Sequence, residues 1–230
     1  MENVIKDEIS DSENLKIRNV VKRALDILIA LIGILILIPA SIIIYIAKII
    51  LKDNGTIFYS QNRIGKNGKI FKMYKYRSMV VGADEKLNEI LATNEKLSEE
   101  YKACKKLKND PRVTKIGKFI RKTNIDELPQ FINVLKGDMS VVGPRPYLER
   151  EIEDMGENYK YIIKCKPGVT GLWQVNAEKQ KEFIQRLELD KEYVKENNLI
   201  IDISLFFKTI FTTLRKVCKF NKYTKHYDKE

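Results

Sequence analysis

The sequence predicts an α+β fold: a mainly helical, membrane-associated domain with a re-entrant membrane helix, a small β-hairpin and interfacial amphipathic helices. Three observations carry this expectation. One is a bilayer-length apolar run with cations on both flanks; the second is a pair of aromatic-rich, β-prone segments joined across Asn67-Gly68; the third is a set of segments with apolar residues at helical spacing. The 230 residues allow one ordinary domain with appendages, and the 44% hydrophobic content is enough to build its core.

Residues 1–15 carry Glu2, Asp7, Glu8, Asp11 and Glu13 against Lys6 alone, and read as an acidic, disordered tail. Residues 16–52 hold the membrane element. Ile27 to Ala47 is uncharged throughout, and as helix it reaches about 32 Å at ~1.5 Å per residue, the thickness of a bilayer core. It starts too late, runs too long and lacks a small-x-small site, so a cleaved signal peptide fits poorly. Before it stand Lys16, Arg18, Lys22 and Arg23 with Asp26. After it, from Lys48 to Gly82, come eight cations and only Asp53. Both flanks therefore look cytoplasmic, which a straight span cannot satisfy. Pro39 removes a backbone hydrogen bond past the middle of the run, and Ser41 can take up part of the freed bonding. A helix-break-helix that enters one leaflet and returns is the first expectation; a simple kinked span is the other.

Ile57 to Ile64 and Ile70 to Tyr76 form the hairpin, with Asn67-Gly68 as its turn. Ala83 to about Lys106, with Leu87, Ile90, Leu91 and Leu97 at helical spacing, reads as an amphipathic helix or a pair. Tyr101 to Lys122 holds nine basic residues against Asp110. Next comes a short helix. Pro129 is tolerated only in a first turn, so the helix should begin near Asp126, with Gly137 as its C-terminal cap. Asp126 and Glu127 thus fall at a helix start, where they serve either as capping carboxylates or beside an anion site. Val141 to Pro146 is a proline-locked segment presenting Arg145, whose planar fork suits a phosphate. Lys166 to Val175 is a turn leading into an apolar strand-like piece with the only Trp. Phe183, Leu187, Tyr193 and Val194 mark another helix. Ile200 to Phe220, apolar on one side and basic on the other, is either an interfacial or a packed terminal helix, followed by a basic tail at 221–230.

Composition also narrows the chemistry. His226, near the C-terminus, is the only histidine, which excludes Ser-His-Asp triads and His-ligated metal sites. Cys104, Cys165 and Cys218 are odd in number and widely spaced, so disulfide scaffolds and zinc clusters are disfavoured and a reducing cytosolic face is expected. The net charge of +11 calls for an anionic partner: lipid headgroups, nucleotides or nucleic acid. No phosphate-binding glycine loop and no repeat is present.

Taken together and in order, several stretches resemble the monotopic phosphoglycosyl transferases, the bacterial sugar transferase family that starts capsule, exopolysaccharide and O-antigen synthesis. These are Lys22–Asp26 with the apolar run, Gln61–Gly65, Lys75–Met79, Asn109–Thr114, Ile125–Gln130, Asn133–Ser140, Gly143–Pro146 and Lys166–Val175. The resemblance covers roughly residues 16–215. It implies transfer of sugar-1-phosphate from a UDP-sugar to polyprenyl phosphate at the inner membrane, through a covalent aspartyl intermediate, with residues 53–220 as a cytoplasmic catalytic domain. It further implies Asp126 as nucleophile, Glu127 assisting, Mg²⁺ held by Asp126 and Glu127, and Lys75, Arg77, Arg112, Gln130 and Arg145 on the phosphates or substrate. Membrane lipids are expected partners and nucleic acid is not; the oligomeric state is open, a homodimer included. The chain departs from the family pattern at Asp53–Thr56 and at Ala177-Glu178, where a Gly-Arg pair is usual. A basic, membrane-anchored nucleic-acid binder and an inactive scaffold for glycan assembly are the rival readings.

Overall fold

The computed structural model describes residues 2–176 and 182–227, with side chains described for Glu13, 15–176 and 182–215. Ala177, Glu178 and Lys179 lie outside the described residues, as do the side chains of Cys218 and His226.

Helix α1 runs unbroken from Glu2 to Ile50. The acidic segment expected to be disordered is therefore its first turns, and Pro39 sits inside one helix instead of between two. The Ser41 hydroxyl donates to the Leu37 carbonyl at 2.8 Å and lies 2.6 Å from the Tyr76 hydroxyl, which reaches the same carbonyl at 3.1 Å. The carbonyl left without its helical donor by Pro39 is that of Leu35, so this bonding ties the helix to Tyr76 and is not a replacement for the lost bond.

One stripe of α1 packs on the rest of the chain. Asp26, Ala30, Gly33, Leu37, Ile44 and Lys48 are buried at three- and four-residue steps or their multiples, the spacing of a single helix face. Gly33 abuts the Phe131 ring, where a Cβ would come within 2.3 Å. Arg23 donates to the Val134 and Leu135 carbonyls at 2.6 and 2.9 Å, and the Asp26 carboxylate accepts from the Ser140 hydroxyl and the Val141 N–H. The remaining faces expose Leu28, Leu31, Leu35, Ile38, Ile42 and Ile46. The helix is long and apolar enough to cross a membrane, yet the domain grips it along that whole length.

Strands β1 (Phe58–Ile64) and β2 (Ile70–Tyr76) pair antiparallel, with Gln61 opposite Met73 and Arg63 opposite Phe71. Asn67 and Gly68 both take positive φ in the connecting turn, as the hairpin signal requires. Paired residues share a face, so Arg63, Met73 and Lys75 point the same way. The helix pair α2 (Ala83–Thr93) and α3 (Glu95–Cys104) follows. Then comes α4 (Lys115–Lys122), capped by the Thr114 hydroxyl, which accepts the Gly117 N–H at 3.0 Å.

Ile125–Glu127 is a 3₁₀ turn, and α5 (Gln130–Lys136) starts only after Pro129. The helix expected to begin near Asp126 is thus delayed by one turn, because the chain around the proline closes with i to i+3 bonds: Leu128 N–H to Ile125, Phe131 N–H to Leu128 and Ile132 N–H to Pro129. Gly137 caps α5 at φ 85°, as expected.

Strand β3 (Ser140–Val142) pairs in parallel with β4 (Gly168–Thr170), across the short helices α6 (Ile152–Met155) and α7 (Tyr159–Ile162). The Trp-bearing piece expected to be a strand is the short helix α8 (Leu172–Asn176). Helix α9 (Phe183–Glu196) and the terminal helix α10 (Leu199–Tyr227) complete the fold. Ala30, Phe71, Met73, Val134, Val141, Tyr193 and Leu205 form the central core, so α1, β2, α5, β3, α9 and α10 converge there. Helix α10 turns Leu205 inward and exposes Ile203, Phe207, Phe211 and Leu214.

Candidate active site

A small cavity, open to solvent, lies between the hairpin, the Glu127 turn and the Arg145 segment. Its wall takes Arg63 from β1, Met73 and Lys75 from β2, Glu127 from the 3₁₀ turn and Gln130 from α5. Arg145 and Pro146 follow β3, Gly168 and Val169 come from β4, and Trp173 and Gln174 from α8. Lys75 donates to Glu127 Oε1 at 3.1 Å. The Arg145 guanidinium stacks 5.2 Å from the Trp173 ring centre. Arg145 Nε, Trp173 Nε1 and Gln174 Oε1 are enclosed without a protein partner among the described residues, a pattern that marks a site arranged for something other than its own packing.

Asp126 lies behind Glu127 and is only 9% exposed. Neither its own turn nor α5 has a side-chain bond at the N-cap, which for the turn is Asn124 at φ 57°, and the Asp126 carboxylate bonds the N–H of its own residue. Burial, reinforced by the neighbouring Glu127 charge, pushes its carboxyl up to about 6, against the pull of Lys75 and Arg121.

Among the described residues no group of three or more His, Cys, Asp or Glu is placed to hold a metal. The Asp126–Glu127 pair still fits Mg²⁺, which characteristically takes one or two carboxylates and completes its shell with water and substrate phosphates.

The structure brings Lys75, Glu127, Gln130 and Arg145 together around the cavity, while Asp126, next to Glu127 in the chain, is not among the lining residues. Two expected phosphate ligands are elsewhere. Arg112 forms a two-point pair with Asp110, Nε to Oδ1 at 2.8 Å and an Nη to Oδ2 at 2.6 Å, and also donates to the Ala83 carbonyl. Arg77 donates to the Thr56 hydroxyl at 2.7 Å and so braces the Asp53–Thr56 loop. Both are committed to structure outside the lining. In their place stand two cations not singled out beforehand. Arg63 lines the cavity and donates to the Pro146 carbonyl at 3.0 Å, and Arg121 faces Asp126 while donating to the Ser78 hydroxyl at 2.7 Å. Strand alternation gives the signal for Arg63, which shares a hairpin face with Lys75.

The sequence profile of bacterial sugar transferases matches residues 17–216. The chain belongs to that family. Its similarity to an undecaprenyl-phosphate galactose phosphotransferase of Salmonella typhimurium is 43% identity over 85% of this chain and 40% of the relative. Against the exopolysaccharide production protein ExoY of Rhizobium meliloti it is 41% over 82% of this chain and 83% of the relative. An Escherichia coli UDP-glucose:undecaprenyl-phosphate glucose-1-phosphate transferase is 36% identical over 85% of this chain and 40% of its own length. The chain thus spans about two fifths of the Salmonella and E. coli proteins and most of ExoY.

Proposed function

We propose that this chain transfers sugar-1-phosphate from a UDP-sugar to polyprenyl phosphate at the cytoplasmic face of the inner membrane, with Asp126 as nucleophile. The observation that carries the reading is Asp126 itself: a buried carboxylate in the same turn that places Glu127 in the wall of a cleft lined by Arg63, Lys75 and Arg145. The relatives' names, with undecaprenyl phosphate as acceptor and UDP-glucose as a donor, support the substrate classes.

In the first step an Asp126 oxygen attacks the sugar-bearing phosphorus; the bond from that phosphorus to the bridging oxygen breaks, and UMP leaves with the electron pair. In the second step a phosphate oxygen of the lipid attacks the same phosphorus and the carboxylate is released. Two displacements replace one difficult exchange between two anions. Lys75 and the two arginines offset charge on the phosphoryl oxygens, and Gln130 supplies a neutral hydrogen-bonding group at the floor. Magnesium bound by Asp126 and Glu127 would further neutralise the diphosphate.

The membrane reading is that the exposed apolar faces of α1 and α10 sink into one leaflet, with α1 lying along that surface. Arg18, Lys22 and Arg23 before the apolar run bond to the domain, and Leu37 and Ile44 within it pack on Tyr76 and Ile116. A helix crossing alone would leave that domain behind.

The test is UMP release from a panel of UDP-sugars by the detergent-solubilised protein with polyprenyl phosphate and Mg²⁺. Asp126→Asn should abolish release; retention of most turnover would rule out the nucleophile. Tight membrane binding with no turnover on any donor would favour a scaffold.

A further inference from the structure

Asp190 is wholly buried on α9 and is used by none of the chemistry above. Its Oδ2 accepts two bonds, from the Arg145 backbone N–H at 2.9 Å and from the Tyr147 hydroxyl at 2.7 Å. The local sequence gives the first bond its weight. Pro144 and Pro146 have no N–H, so across Pro144-Arg145-Pro146 the amide of Arg145 is the single main-chain donor able to tether the segment. From the opposite side, Arg63 donates to the Pro146 carbonyl at 3.0 Å, and the Ile64 N–H donates to the Tyr147 carbonyl at 2.9 Å. The segment that carries Arg145 is therefore clamped between β1 and α9. Its guanidinium lies over Trp173, and that of Arg186 lies 5.5 Å from the same ring.

We propose that Asp190 is a positioning residue for the donor site: one carboxylate oxygen, bonded on either side of Pro146, sets the segment so that the Arg145 side chain faces the diphosphate. This rests on the cavity being the donor site. A buried carboxylate is a costly anchor, and an apolar side chain there would pack more cheaply while leaving the Arg145 amide and the Tyr147 hydroxyl unpaired. Burial pushes the Asp190 carboxyl up to about 7, with Arg145, Tyr147 and Arg186 as the groups facing it. An asparagine therefore resembles the protonated side chain and retains an acceptor oxygen.

The experiment measures UMP affinity by calorimetry, donor KM and kcat, and thermal melting, on the full chain in detergent with Mg²⁺. Asp190→Ala should weaken UMP binding and raise donor KM about tenfold, the equivalent of one lost positioning bond. Asp190→Asn should stay within about threefold of the parent. In the Arg145→Ala background, Asp190→Ala should add almost nothing, because it acts through the side chain already removed. A folded Asp190→Ala variant that binds UMP like the parent, or whose loss adds fully to that of Arg145→Ala, overturns the proposal. If Asp190→Ala does not fold, Tyr147→Phe decides: a few-fold weaker UMP binding supports the clamp, and unchanged binding refutes it. A parent protein that binds no UMP defeats the donor-site reading itself, and the clamp with it.

Discussion

Asp126 and Asp190 are both buried carboxylates raised by desolvation. Their partners differ completely. Asp190 is saturated on one oxygen by two donors from the segment it holds, whereas Asp126 has charged neighbours, Lys75 and Arg121, but no cap to make. A carboxylate tied by directed bonds to a distant segment is a fixture; one flanked by cations and bonded only to its own N–H holds no other segment in place. Equal burial therefore does not mean equal role, and the bonding around each group separates them.

The sharpest break of this comparison is Asp126→Asn. UMP release should fall by on the order of a thousandfold or more, while the melting temperature stays near that of the parent, since no structural bond is lost. Second in size is the contrast among cations. Lys75→Met, at the cavity wall, should reduce kcat/KM by about a hundredfold. Arg112→Ala should leave the kcat/KM of the folded fraction nearly unchanged, but destabilise the protein by roughly 3 kcal/mol, because Asp110 loses its enclosed partner. Denaturant titration with assay of the folded protein checks both.

Much of this was open to reading in the sequence. The hairpin followed from aromatic alternation and Asn67-Gly68, and the end of α5 from Gly137, because these are local constraints on φ and side-chain spacing. Helix α4 was hidden: Lys115, Lys118 and Lys122 mask its buried residues Ile116, Gly117 and Ile120, although Thr114 was a legible cap. The Trp173 segment reads as a strand because apolar side chains and a preceding turn suit either state at five residues. Among the site residues, Lys75, Glu127, Gln130 and Arg145 came from ordered motifs. Arg112 was misplaced even though its partner stands two residues away, since a local ion pair and a phosphate ligand look alike in one dimension. Arg63 was legible from strand alternation, whereas Arg121 and Asp190 depend on contacts between segments far apart in the chain, which no local pattern encodes.

A smaller effect concerns stability against pH. Asp190 has a folded value of about 7 against an ordinary 3.8, so between these limits the native state binds more protons than the unfolded chain. Its contribution is fully present below about pH 4 and is lost as pH rises through about 7. Asp190→Asn should therefore flatten the decline in stability between pH 5 and 7.5, as read from denaturation midpoints. An unchanged slope would show that the carboxyl is not raised.

The most direct measurement is intact-mass spectrometry of the protein incubated with a turnover-competent UDP-sugar and Mg²⁺, without lipid acceptor. The account predicts a mass increase equal to one sugar-phosphate, located on Asp126 by peptide mapping, absent in Asp126→Asn and discharged when polyprenyl phosphate is added. Turnover with no such adduct under rapid quenching, or an adduct on another side chain, would contradict it.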